Sequence, residues 1–185
     1  IGAARQVDPN MVLKKKNGRE VEVQEGWKGH LLPFDLVQKI CLADELGRLE
    51  AKKSKMASIP AELESVLEEL TEEEKETISE ALNDTNDAFV MKNVPAVVKN
   101  LKQEKTSENA ELILRLQQAL DLNKEEKQLK AEIKTEEEAL HLKTKEVIEG
   151  LSDDRMKELL RLKWITPICE ELMRLPTHCL EYLQK

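Results

Sequence analysis

The chain has 185 residues, 36% of them charged and only 3% aromatic, with a formal net charge of −8. Abundant Glu, Lys and Leu with six glycines and six prolines argue for long helices with a narrow core along their seams, and against sandwiches, barrels or doubly wound sheets. The acidic balance argues against a chain that holds nucleic acid by itself, because that affinity comes from Lys and Arg neutralising phosphates.

Residues 1–33 stand apart, holding four of the six glycines and two of the prolines. The chain opens at Ile1 without a charged start and apolar run, so no signal peptide is read, and a piece of a longer protein is expected. Asn17-Gly18 tolerates positive φ at both turn positions and separates two strand-like runs, which predicts a small β-hairpin. In Arg19–Gln24 the alternation puts Val21 and Val23 on one face and Glu20, Glu22 and Gln24 on the other. Two strands alone are marginal, so this hairpin is expected to pack on something. The run Lys14-Lys15-Lys16 reads as a solvated turn flank.

From Leu36 the spacing predicts a helical domain over 34–185. Leu42, Leu46, Leu49, Met56, Leu63, Leu67 and Leu70 follow steps of three, four and seven, the mark of a coiled-coil seam, with Lys53 and Pro60 filling its gaps. Pro60 removes an amide donor and should kink the rod. Thr71-Glu72-Glu73-Glu74 is a capping box and places a break near Leu70, followed by a short helix over 72–82. A turn cluster at 83–87 precedes another short helix at about 94–103. The longest helix is predicted from Glu108 to Glu149, ended by Gly150, with Leu122, Leu129, Ile133, Leu140, Val147 and Leu151 on its seam and Glu126, Glu136 and Lys143 between them. Ser152 caps a last segment that Pro167 and Pro176 should divide into two or three helices. The simplest architecture is all-α: a long antiparallel, coiled-coil-like hairpin with shorter helices and the small N-terminal β-hairpin. Its expected packing sets Leu46, Leu49, Leu63 and Leu67 against Leu129, Ile133, Leu140 and Val147 in some register.

Chemistry is sparse. There is no glycine-rich phosphate loop, no serine nucleophile elbow and no H-E-x-x-H. Cys169, His178 and Cys179 offer three potential metal ligands without a fourth at finger spacing, and with Cys41 they form no disulfide framework, so a reducing cytoplasm is expected. No apolar run approaches the ~20 residues that span a bilayer. Glu68-Glu69 and Glu136-Glu137-Glu138 read as solvated faces rather than acid–base pairs. Leu159–Ile165, with Trp164, is the most apolar part of the C-terminal segment and reads as core or as a helix-packing contact.

Val7-Asp8-Pro9, the hairpin, and Gly26-Trp27-Lys28-Gly29-His30-Leu31-Leu32-Pro33-Phe34-Asp35-Leu36-Val37-Gln38 resemble the stretch after the catalytic domain in modification (M) subunits of type I restriction–modification enzymes. Ala43-Asp44-Glu45-Leu46, and Leu151-Ser152-Asp153-Asp154 through Lys163-Trp164, resemble the helices that follow. The specific part of the likeness is residues 7–46 and 151–167. Such subunits are S-adenosylmethionine-dependent adenine-N6 DNA methyltransferases that work with a DNA-reading specificity (S) subunit. Their glycine-rich cofactor loop and Asn-Pro-Pro-Phe-type motif are not in this chain, so the resemblance carries over no catalytic, cofactor-binding or metal residue, and this chain alone is not expected to act as an enzyme. It implies a C-terminal helical assembly region whose partners are the S subunit and the restriction subunit, with DNA reached only through the complex, no membrane, and S-adenosylmethionine belonging to the absent methylase domain. A homodimer through the coil stays open, as does a stand-alone coiled-coil adaptor unrelated to restriction–modification. The residues expected to bind a partner are Leu122, Leu129, Ile133, Leu140 and Val147 on the half-polar seam, where Glu126, Glu136 and Lys143 would select the partner, and Leu159, Leu160 and Trp164 at the C-terminal end.

Overall fold

The computed structural model describes residues 2–16, 18–104 and 109–183. Its elements, in order, are strands β1 (Val7–Lys16) and β2 (Arg19–Gly29), then helices α1 (Phe34–Cys41), α2 (Ala43–Glu68), α3 (Glu72–Thr77), α4 (Val94–Glu104), α5 (Asn109–Gly150) and α6 (Asp153–Leu183). Short 3₁₀ turns occupy Gly2–Arg5 and Ser79–Ala81. The fold is thus mostly helical with one two-stranded antiparallel hairpin. Among the described residues, no helix is long and apolar enough to cross a membrane. By contacts the chain forms two units, Ile1–Arg48 with Glu136–Lys185, and Leu49–Thr135; α2 and α5 contribute to both.

In the first unit, β1 and β2 pair from Val7↔Gly29 to Lys16↔Arg19, leaving a two-residue loop. Gly18 of that loop has φ +76°, as the turn reading requires, while Asn17 lies outside the described residues. Only the root of the hairpin packs. Ala4 and Val7 join Leu32, Val37, Ile148, Met156 and Leu159 in one apolar cluster, whereas Met11, Leu13, Val21 and Val23 are exposed.

Two close approaches fix this root. Gly29 must lack a side chain, since a Cβ there would lie 1.9 Å from the Leu32 carbonyl oxygen. Gly26, at φ +79°, lets the backbone come down on His141, whose Nε2 accepts a 2.8 Å hydrogen bond from the Trp27 amide. Phe34 stacks on the same imidazole at 4.8 Å between centroids, and the Lys145 ammonium sits 3.7 Å from the centre of the Trp27 ring. Arg5 ties the 3₁₀ turn to the corner between α5 and α6. Its Nε donates to the Leu151 carbonyl at 2.7 Å, and its guanidinium pairs with Asp153. At the start of α6 the Arg155 amide donates to Ser152 Oγ at 3.4 Å, the cap read from the sequence.

The heptad reading of α5 is corrected here by one position. Lys143 is exposed and paired with Glu45 of α2, and Thr144 is the fully buried residue. A lysine ammonium stays in water at this turn, while a threonine can be buried with its hydroxyl satisfied. Thr144 Oγ1 donates to the Leu140 carbonyl at 2.6 Å and accepts from Gln38 Nε2 at 3.1 Å.

In the second unit α2 and α5 run antiparallel. Lys52 pairs with Glu132 at 2.6 Å, and three residues later Lys55 pairs with Glu125. The buried positions of α2 are Leu49, Ile59, Val66 and Leu67, with Lys52 half-buried. Lys53 and Pro60 are exposed, so the seam steps 49, 52, 56, 59, 63, 66 rather than through 53 and 60. The helix runs on through Pro60, whose outward position leaves the buried row intact.

Thr71 and Glu74 form the reciprocal capping box. The Glu74 amide donates to Thr71 Oγ1 at 3.3 Å, and the Thr71 amide to Glu74 Oε2 at 2.8 Å. Arg115 of α5 holds this corner, donating to the Glu69 carbonyl at 2.6 Å and to the carboxylate of Glu111 at 3.0 Å. Around it Leu67, Leu70, Ile78, Leu82, Val94, Val98, Leu112 and Leu116 build the second apolar cluster. Leu67 therefore packs beside Leu112 and Leu116, not against Leu129 or Ile133. A heptad repeat states which face is buried, and the stagger comes from the α3–α4 connection.

Candidate interaction surface

A row of large apolar side chains is rarely left in water unless something covers it. The first turns of α6 are anchored in the core of their unit, with Met156 and Leu159 fully buried. The Lys163 ammonium donates to the Leu31 carbonyl and closes this anchored part. Beyond it the apolar residues face water. Trp164 is 47% exposed, Ile165 53%, Ile168 61%, Leu172 59% and Leu175 52%.

Ile165, Ile168, Leu172 and Leu175 step by three, four and three, which puts them on one face of a helix as the seam of a coiled coil would be. Pro167, Ile168, Glu171, Leu172 and Leu175 outline a shallow, mostly apolar hollow of about 380 Å³ on this face. α6 continues unbroken through Pro167 and Pro176, a correction to the expected division into two or three helices. Both prolines are exposed, where water can serve a carbonyl that has lost its amide partner.

The hairpin offers a poorer surface. Its register puts Val12, Val21 and Val23 on one face with Lys14, and Met11 and Leu13 on the other with Glu22 and Gln24. The apolar residues are thus divided between two faces and diluted by charge.

The residues expected from sequence to bind a partner fall into two groups. Leu122, Leu129 and Ile133 in the second unit, and Leu140 and Leu159 in the first, are buried within the chain itself. Val147 and Leu160 are half-buried beside the first apolar cluster. The half-polar seam is filled from its own chain, so it presents no continuous apolar stripe to a second one. Trp164 alone of the eight is exposed. The exposed stretch 165–175 was legible only as apolar spacing, which reads equally well as core.

No group of three or more His, Cys, Asp or Glu gathers around one point among the described residues. Cys41 and Cys169 are free thiols, and the side chains of His178 and Cys179 lie outside those described. Comparison with protein-family models, with curated proteins and with solved structures finds no match to this chain.

Proposed function

We propose that the chain is the C-terminal helical assembly region of a type I restriction–modification methyltransferase (M) subunit, and that it packs on the helical spacers of the S subunit through the exposed face of α6. The single observation that carries this reading is a helix anchored by Met156 and Leu159 whose later turns offer Ile165, Ile168, Leu172 and Leu175 to solvent in coiled-coil steps. The likeness of residues 7–46 and 151–167 to that family supplies the identity of the partner. In this reading the chain works in the cytoplasm, contributes no catalytic group, and reaches DNA and the restriction subunit only through the complex. S-adenosylmethionine binds the methylase domain of the same subunit.

Burying four half-exposed aliphatic side chains is worth roughly 3–6 kcal/mol before association costs, enough for a helix contact to matter to assembly. The test is binding of the S subunit from the same operon. Ile168→Lys with Leu172→Lys is expected to weaken the complex at least a hundredfold by calorimetry, with an unchanged circular dichroism spectrum. Binding as tight as the parent's sinks the assignment. The coding sequence upstream separates this reading from a free-standing adaptor: a glycine-rich cofactor loop and an Asn-Pro-Pro-Phe-type motif in the same frame belong only to the former.

A further inference from the structure

The apolar row of α6 starts beside two donors that the chain itself does not fully serve. Trp164 lies four residues before Ile168 and eight before Leu172, which places it on their face of the helix. Its ring is 47% exposed, and its indole N–H meets no acceptor among the described residues.

Lys163, next to it, is half-buried. Its ammonium donates to the Leu31 carbonyl and stands 4.8 Å from the centre of the Trp164 ring, yet it pairs with no carboxylate among the described residues. The carbonyl fixes the ammonium, and the ammonium in turn holds the ring through its π face. Trp164 is thus set in place before any partner arrives, which spares the ordering cost that an exposed aromatic anchor otherwise carries.

Covering the row changes the balance at this end. A helix laid on Ile165, Ile168 and Leu172 also covers Trp164, and it takes water from the indole N–H and from the cation beside it. An apolar partner would leave a donor unmade and a charge without its counter-charge, both costly once desolvated. A neutral acceptor would meet the N–H and leave the charge, whereas the two oxygens of one carboxylate serve both. Resting on the assembly reading above, we propose that the partner helix carries an Asp or Glu opposite Lys163 and Trp164, its carboxylate pairing with the ammonium and accepting from the indole Nε1–H. Trp164 is then the anchor of the contact and Lys163 its positioning residue. The same charge sets register. The aliphatic steps past Trp164 are alike, and one ionic contact at the head of the row fixes where the partner starts, as a single polar residue does in a coiled-coil seam.

The measurement is the affinity of the full chain for the S subunit, by calorimetry at about 50 and 300 mM NaCl. Lys163→Gln keeps a donor for the Leu31 carbonyl and drops the charge. It is expected to weaken the complex about tenfold at the lower salt and to flatten its salt dependence. Lys163→Arg keeps the charge and should restore most of the affinity. Trp164→Phe keeps a ring and drops the N–H, with an expected loss of about fivefold. All three should keep the parent's circular dichroism. The proposal is overturned if Lys163→Gln matches the parent in affinity and salt dependence, or if Trp164→Phe binds as the parent does. It is also overturned if Lys163→Arg loses as much as Lys163→Gln, which marks a merely structural role. Ile168→Lys with Leu172→Lys separates the two claims. A complex that survives this pair removes the surface and this inference with it, whereas one lost with the pair but indifferent to Lys163→Gln removes only the carboxylate.

Discussion

The contact between the hairpin root and α5 depends on the protonation state of His141. Its Nε2 accepts from the Trp27 amide, so the ring must carry its proton on Nδ1 and be neutral. Protonation would place an N–H against an N–H. Burial already pushes the His141 pKa down, so neutrality is the folded-state preference. The sign follows from linkage. Between the lowered folded value and the unfolded value near 6.5, the unfolded chain binds a proton that the folded chain does not, and stability rises with pH. The contribution is fully present above about pH 6.5 and is lost as pH falls through the folded value. One titrating group can change stability by at most about 1.4 kcal/mol per pH unit, and one hydrogen bond is worth about 0.5–1.5 kcal/mol, so a drop from pH 7.5 to 5.5 should cost about 0.5–1.5 kcal/mol. His141→Gln keeps an acceptor near the same place and does not titrate. Urea unfolding of both proteins at the two pH values, followed by circular dichroism, should show the parent losing that much more than the variant. Equal losses would refute the argument. The exposed His30–Asp8 contact is the same in both proteins and cancels.

Other perturbations test other parts of the fold. Gly29→Ala should cost more than 3 kcal/mol in chemical unfolding, because its Cβ would overlap the Leu32 carbonyl and the backbone would have to move. Ile59→Ala, in the second unit, should cost about 2–4 kcal/mol as a cavity at a position only 1% exposed, whereas Lys53→Ala on the neighbouring turn should change stability by under about 1 kcal/mol. Thr71→Ala removes half of the capping box and should cost about 1 kcal/mol, with faster amide exchange confined to the first turn of α3.

What could be read before the structure was local chemistry. The capping box at Thr71 and Glu74 was legible because both partners lie within four residues, and the hairpin because Asn-Gly and alternation act over short range. Both ends of α5 were legible within a residue, the C-terminal end because Gly150 bounds it. The seam of α2 was misplaced by one residue because Ile59 and Pro60, like Val66 and Leu67, are adjacent, and only packing decides which of two neighbours turns inward. The stagger between α2 and α5 was not legible, since every heptad step looks alike and the path through α3 and α4 sets it. The burial of Thr144 in place of Lys143 is not legible locally, because its hydroxyl is met by Gln38, more than a hundred residues away in the chain.

The surface question turned on a distinction that hydrophobic spacing cannot make. Leu129 and Ile168 both sit in three- and four-residue steps, yet Leu129 is buried by its own chain and Ile168 is not. What separates them is whether a second helix of the same chain is available at that turn. α5 has α2 beside it, as the pairs Lys52–Glu132 and Lys55–Glu125 record. α6 has α1 and the hairpin root beside its first turns, through Val37, Leu32 and the Lys163–Leu31 contact, and its later apolar residues are exposed. The charges follow the same division. On α5 Glu125 and Glu132 reach across to α2, while on the exposed part of α6 Arg174 pairs with Glu171 one turn away at 3.1 Å. Such a pair is local to its helix, so Ile165, Ile168, Leu172 and Leu175 can be covered without breaking an ion pair to another element. The α5 seam is covered by its own chain, and the row that continues past Trp164 is the one left exposed.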